Sequence, residues 1–119
     1  MYLYFFFSRN NCPPCLKVID LFNRLQSPFK VFGVVPEEEL KEEAVVRQAT
    51  GAAFQLIDRG KFSGYIPPYT PALVGVSGSG TIFFVLPAVS RPIENLEEYL
   101  HSLYSHLYYP ALIQKRDAG

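Results

Sequence analysis

The sequence predicts an α/β domain with a central mixed sheet of four to five strands flanked by helices, in the order βαβα(β)ββα. Three observations carry that prediction. The aromatic run Tyr2–Phe7 is followed by a short polar loop and then by apolar residues at helical spacing. A second apolar, β-branched run, Phe29–Val35, leads through Pro36 into a second helical pattern. Late in the chain, Ala72–Val76 and Thr81–Leu86 flank Ser77-Gly78-Ser79-Gly80, the pattern of an antiparallel hairpin, and an amphipathic segment follows.

Each element has a local reason. Tyr2–Phe7 is β-favouring and too short to cross a membrane, and no basic segment precedes it, so it reads as a core strand and not as a leader. After Cys15, the residues Val18, Ile19, Phe22 and Leu25 form one stripe, with Lys17, Asp20, Asn23, Arg24 and Gln26 on the other side. Pro36 suits the start of the second helix, and Glu37, Glu38 and Glu39 complement the positive end of its dipole. That helix is expected to turn Leu40, Ala44 and Val45 inward and to stop near Gly51. Phe54–Asp58 is a candidate third strand, and a glycine- and proline-containing loop runs from Arg59 to Thr70. Ile93–Leu107 is expected to form the last helix, with Leu96, Leu100, Leu103 and Leu107 on one stripe.

With 119 residues the chain is expected to form one domain, residues 1–119, whose tail 108–119 either packs back, extends, or docks on a partner or a second copy. Hydrophobic residues make up 49% and aromatics 15%, which argues for a packed core and against disorder. The 11 basic and 11 acidic side chains cancel, so no global field draws the chain to nucleic acid or to an anionic membrane. The expectation is a protein that binds neither. As written it is cytoplasmic, or extracytoplasmic if an export signal precedes it.

The chemistry lies in Cys12-Pro13-Pro14-Cys15. Both cysteines of the chain sit on one turn between a strand and a helix. A disulfide closing so short a loop gains little from chain entropy, so its value is reactivity. Free N–H groups at a helix start stabilise a thiolate, which makes Cys12 the expected nucleophile and Cys15, one turn further in, the resolving thiol. Pro13 and Pro14 restrict the turn and suit a helix start. The competing use of two such cysteines is half of a zinc site. Zinc needs four ligands, and His101 and His106 lie in the last helix at a spacing that does not set them side by side. No metal is expected, and no cofactor beyond the Cys12–Cys15 couple.

Together with Tyr69-Thr70-Pro71-Ala72-Leu73-Val74, these features resemble the thioredoxin-like superfamily. The long stretch from Val35 to Thr70 and the Cys-Pro-Pro-Cys sequence resemble its TlpA-like and peroxiredoxin-like branch of thiol–disulfide oxidoreductases. The resemblance implies that Pro71 is a cis-proline facing the cysteines and that Thr70 offers its backbone to an extended substrate. Tyr69, like Tyr65, is a candidate for the substrate face. The partners so implied are a protein disulfide or dithiol and a separate redox partner, with a homodimer through the aromatic tail as a further option. The chain departs from the family in three places. Asn11 stands where an aromatic often precedes the first cysteine, Phe5-Phe6-Phe7 carries no acid, and Val18 occupies the position of a Glu in TlpA-like proteins. Those departures motivate a second reading, a thioredoxin-like binding module with weak turnover. A peroxidase reading fits less well, since Ser8-Arg9-Asn10-Asn11 does not supply the residues that precede a peroxidatic cysteine. Copper delivery of the related type fits less still, since it uses three residues between its cysteines and a distant His before the final helix.

Overall fold

The computed structural model describes residues 1–10, 16–87 and 93–108. The chain forms β1 (Tyr2–Phe6), α1 (Leu16–Arg24), β2 (Lys30–Val35), α2 (Glu37–Leu40), α3 (Glu43–Thr50), β3 (Gln55–Asp58), β4 (Ala72–Val76), β5 (Ile82–Pro87) and α4 (Ile93–Leu103). A single 3-10 turn, Arg59–Lys61, follows β3, and a π-helical turn, Tyr104–Tyr108, follows α4. The strands make one sheet in the order β3-β2-β1-β4-β5. β1 pairs parallel with β2 and antiparallel with β4, β3 adds parallel to the outside of β2, and β4 and β5 form the hairpin.

That topology decides which face is covered. The connections β1-α1-β2 and β2-α2-α3-β3 both step in the same direction across the sheet, so right-handed crossovers place their helices on one face. There Leu3, Phe5 and Phe7 pack with Val18, Ile19 and Phe22 of α1, Val46 of α3, and Leu96 and Leu100 of α4. Fully burying such side chains stabilises by about 1.5–3 kcal/mol each. On the other face Phe6, Val34, Ala72 and Val74 are buried with Phe62 of the long loop packed on them. No described helix lies there, and Tyr2 and Ile82 at its lower margin stay 36% and 44% exposed.

The five strands match the expected order, including the third strand that ends in Asp58. The hairpin turn is held by Ser77, whose Oγ accepts from the N–H groups of Ser79 at 3.3 Å and Thr81 at 3.1 Å. Gly75 in β4 faces the Phe84 ring so closely that a Cβ there would overlap Cε1 of the ring. Asn23 of α1 reaches across to the loop after α3, donating to the Gly51 carbonyl and accepting from the Ala53 N–H, both at 2.8 Å.

Two helices differ from the sequence expectation. The single helix after Pro36 is broken: Glu42 takes φ −113°, ψ 47°, outside the helical region, and α3 starts afresh at Glu43. The break resets the helical phase, so Val46 and Thr50 face inward while Ala44 and Val45 are exposed. The helix does end at Gly51, whose φ of 79° is the left-handed conformation that glycine adopts without strain. The last helix also stops early. In the turn Tyr104–Tyr108 the wider π spacing turns the stripe away from the core, so Leu96 and Leu100 are buried, Leu103 is half-buried and Leu107 is 40% exposed.

This rotation predicts an asymmetry along one stripe. Leu100→Ala should cost about 2–5 kcal/mol in urea unfolding, as for a buried leucine that leaves a cavity. Leu107→Ala should stay within about 0.5 kcal/mol of the parent protein.

Candidate functional site

Cys12, Pro13, Pro14 and Cys15 lie outside the described residues, so the site is built from the segments that lead to and flank them. β1 delivers the chain. Its last pairs are Phe6 with Val34 of β2 and Phe6 with Ala72 of β4, and the Phe7 N–H continues the ladder by donating to the Val34 carbonyl at 3.1 Å. The loop Ser8–Asn10, which runs on toward Cys12, thus leaves the sheet between two neighbours. On one side β2 passes into Pro36 and α2. On the other the chain enters β4 from Thr70 and Pro71. The carboxyl ends of adjacent parallel strands are where α/β sheets open a crevice.

At that end the Thr70–Pro71 peptide is cis. Thr70 and Pro71 are half-buried, and Tyr69 is 43% exposed. A second cis bond, Ser27–Pro28, lies where the chain approaches the opposite end of β2, at a proline the sequence reading did not single out. The sheet register brings Thr70 and Pro71 alongside the start of the loop to Cys12. Tyr65 goes elsewhere: it lines a cavity of about 190 Å³ on the open sheet face, with Tyr4, Phe62, Val76 and Ile82, and Tyr69 is not in its wall.

The loop Ser8–Asn10 is tied down on its α2 side. Ser8 is buried, and its Oγ accepts from the Asn10 N–H at 3.3 Å. The Arg9 N–H donates to Glu39 Oε1 at 2.7 Å, and the Arg9 guanidinium meets Glu42 Oε2 at 3.1 Å. Glu39 is only 5% exposed. The acidic run after Pro36 therefore has two uses, because Glu37 and Glu38 remain at the surface near the helix start while Glu39 turns in. The sequence reading assigned all three to the helix dipole and missed this contact. Nothing in the run Glu37-Glu38-Glu39 sets the third residue apart; only the placement of α2 beside the end of β1 does.

A second buried carboxylate, Asp58, ends β3. Its Oδ1 accepts from the Gly60 N–H at 2.8 Å and caps the turn Arg59–Lys61. That turn launches the long loop, which Phe62 pins to the sheet by edge-on contacts with Tyr4 and Phe6, ring centroids 4.9 and 5.3 Å apart.

Among the described residues no group of three or more His, Cys, Asp or Glu side chains is placed to hold a metal ion. His101 packs its ring edge-on against Phe29, and His106 Nδ1 donates to the Ser102 carbonyl one turn back. No described helix is long and apolar enough to cross a membrane.

No family model matches the sequence, and no curated protein sequence matches it either. Solved structures do. A thiol:disulfide interchange protein of the thioredoxin family from Chlorobium tepidum superposes with a TM-score of 0.60 at 18% identity, over 86% of this chain and 78% of that one. StoA from Bacillus subtilis gives 0.61 at 18% identity, over 83% and 81%. A secreted disulfide oxidoreductase of Mycobacterium tuberculosis, homologous to E. coli DsbE, gives 0.59 at 13% identity, over 85% and 80%. The fold is therefore thioredoxin-like, with β3 as an added outer strand on the mixed sheet.

The Phe62 contacts give a prediction about the long loop. Each aromatic pair contributes about 0.5–1.5 kcal/mol beyond its buried area, so Phe62→Ala should raise the rate of limited proteolysis between residues 59 and 69 by about tenfold or more. Tyr65→Ala, at a residue already 46% exposed, should leave that rate near the parent value.

Proposed function

We propose that the protein is a thiol–disulfide oxidoreductase acting on a protein substrate through Cys12 and Cys15. The observation that carries this reading is the sheet register: the strand that runs on to Cys12 ends beside the strand that begins after Thr70–Pro71. Two thiols that follow a strand and precede a helix in sequence, with a backbone segment able to receive an extended chain beside the loop that leads to them, suit exchange better than storage or stapling. Structural neighbours described as a disulfide oxidoreductase and a thiol:disulfide interchange protein support the same class.

In the proposed reaction the Cys12 thiolate attacks one sulfur of a substrate disulfide. An S–S bond forms between Cys12 and the substrate, and the other substrate sulfur leaves as a thiolate. Cys15, after losing its proton, attacks Cys12 and displaces the second substrate sulfur. The substrate gains two electrons and two protons, and Cys12–Cys15 becomes the disulfide. A separate dithiol returns the couple to its starting state, and the same steps run backward when the couple is the oxidant. Thr70 presents its backbone N–H and C=O to the substrate segment by strand addition, and Tyr69 offers an aromatic surface beside it. No cofactor beyond the couple takes part.

Cys12→Ser should abolish insulin reduction, and Cys15→Ser should accumulate mixed disulfides that are visible on non-reducing gels. A Cys12→Ser protein that still reduced insulin at the parent rate would refute the assignment. A Cys12 thiol titrating near its ordinary value of about 8.5, with no turnover, would favour the binding-module reading.

A further inference from the structure

Among the described residues two carboxylates are buried, both at the carboxyl end of the parallel strands, and they do different things. Asp58 bonds within its own turn. Glu39 bonds to the backbone of a residue thirty positions away, Arg9, which stands three residues before Cys12. Burying a carboxylate costs several kcal/mol unless it is well partnered. A charge-assisted N–H···O bond of 2.7 Å is at the short, strong end of the range. The helix dipole does not account for this placement, because Glu37 and Glu38 sit beside Glu39 and stay exposed.

The contact is also made twice. Glu39 holds the backbone of Arg9, and Glu42, at the break between α2 and α3, holds its guanidinium. The outer pair is solvated, with side chains 32% and 56% exposed, and contributes little by itself. The inner bond is sheltered and directional. Together they fix the point from which the chain proceeds into the cysteine turn.

We propose that Glu39 is a positioning residue for disulfide exchange: through the Arg9 N–H it sets how the chain enters the Cys12–Cys15 turn, and so how well the helix start stabilises the Cys12 thiolate. This rests on the exchange reading above. Stabilisation by a helix start falls off within its first turn, so a small displacement of the approaching chain weakens it. Losing the anchor then raises the Cys12 thiol toward its ordinary value and makes the disulfide harder to reduce, because it is a stabilised thiolate that makes such a couple oxidising.

The test uses the full chain and three variants. The readouts are the equilibrium of Cys12–Cys15 with glutathione, the pH dependence of Cys12 alkylation by iodoacetamide, and hydrogen exchange of the Arg9 amide. Glu39→Ala should shift the glutathione equilibrium by about tenfold or more toward the protein disulfide and slow alkylation at neutral pH. Glu39→Gln, whose amide oxygen accepts the same N–H, should stay within about threefold of the parent on both measures, as should the surface control Glu38→Ala. Glu39→Ala behaving as the parent would overturn the proposal. So would Glu39→Gln shifting as far as the alanine variant, because the charge and not the bond would then be at work. If Glu39→Ala does not fold, the Arg9 amide decides: slow exchange in both the parent and Glu39→Gln supports the anchor, and fast exchange in the parent refutes it. Failure of the exchange reading is separately visible, since a Cys12→Ser protein that kept its activity would sink that reading and leave the Arg9 protection unchanged.

Discussion

The structure depends on β1 being central and apolar on both faces. Leu3 and Phe5 are wholly buried on the helix side, and Phe6 on the other, so the strand has no solvent face in its second half. Such a strand must be paired on both edges and covered above and below. Its parallel pairing with β2 forces the crossover that brings α1 over one face, and its antiparallel pairing with β4 fixes the place of the hairpin. Because the register of a strand decides which face each side chain meets, the same pairing also fixes what stands beside the end of β1. The loop to Cys12 and the segment Thr70–Pro71 are neighbours for that reason.

The two faces of the sheet are not equivalent. Helices close one side, whereas the other relies on Phe62 and the loop it anchors, leaving Tyr65 and Ile82 exposed around a small aromatic cavity. Burial raises the Tyr4 phenol above its ordinary value, with the neighbouring Tyr2 phenol adding to the effect, as expected beneath such a partial cover. The loop that leads to Cys12 leaves from the carboxyl end of the parallel strands and not from this face. The two tyrosines separate accordingly, Tyr69 next to the Thr70–Pro71 bond and Tyr65 on the open sheet face.

Glu39 links the peripheral part of the fold to the loop that follows β1. The two-helix segment between β2 and β3 would be a spacer if it served only to reach the outer strand. Instead α2 presents the buried carboxylate of Glu39 to the backbone of Arg9, and Glu42, at the break before α3, presents a surface carboxylate to its side chain. Glu39 comes from another element and acts on the backbone at the end of β1.

Local pattern determined much of this protein without help from tertiary structure. The aromatic run of β1, the apolar stripe of α1, the turn Ser77–Gly80 and the stop at Gly51 each follow from residue type and spacing, because these signals lie within one or two turns of chain. Pro71 was legible for the same reason, as the residue that precedes a strand. What the pattern did not contain was phase across an interruption. A non-helical Glu42 exchanged Val45 for Val46 in the core, and a π-helical turn exposed Leu107, and both depend on what the helices pack against. Glu39 was hidden more deeply, since its burial is decided by the register of β1 against β2 and by the angle at which α2 leaves the sheet. Propensity and periodicity describe neighbours along the chain, whereas the partner of a buried charge is a neighbour only in space.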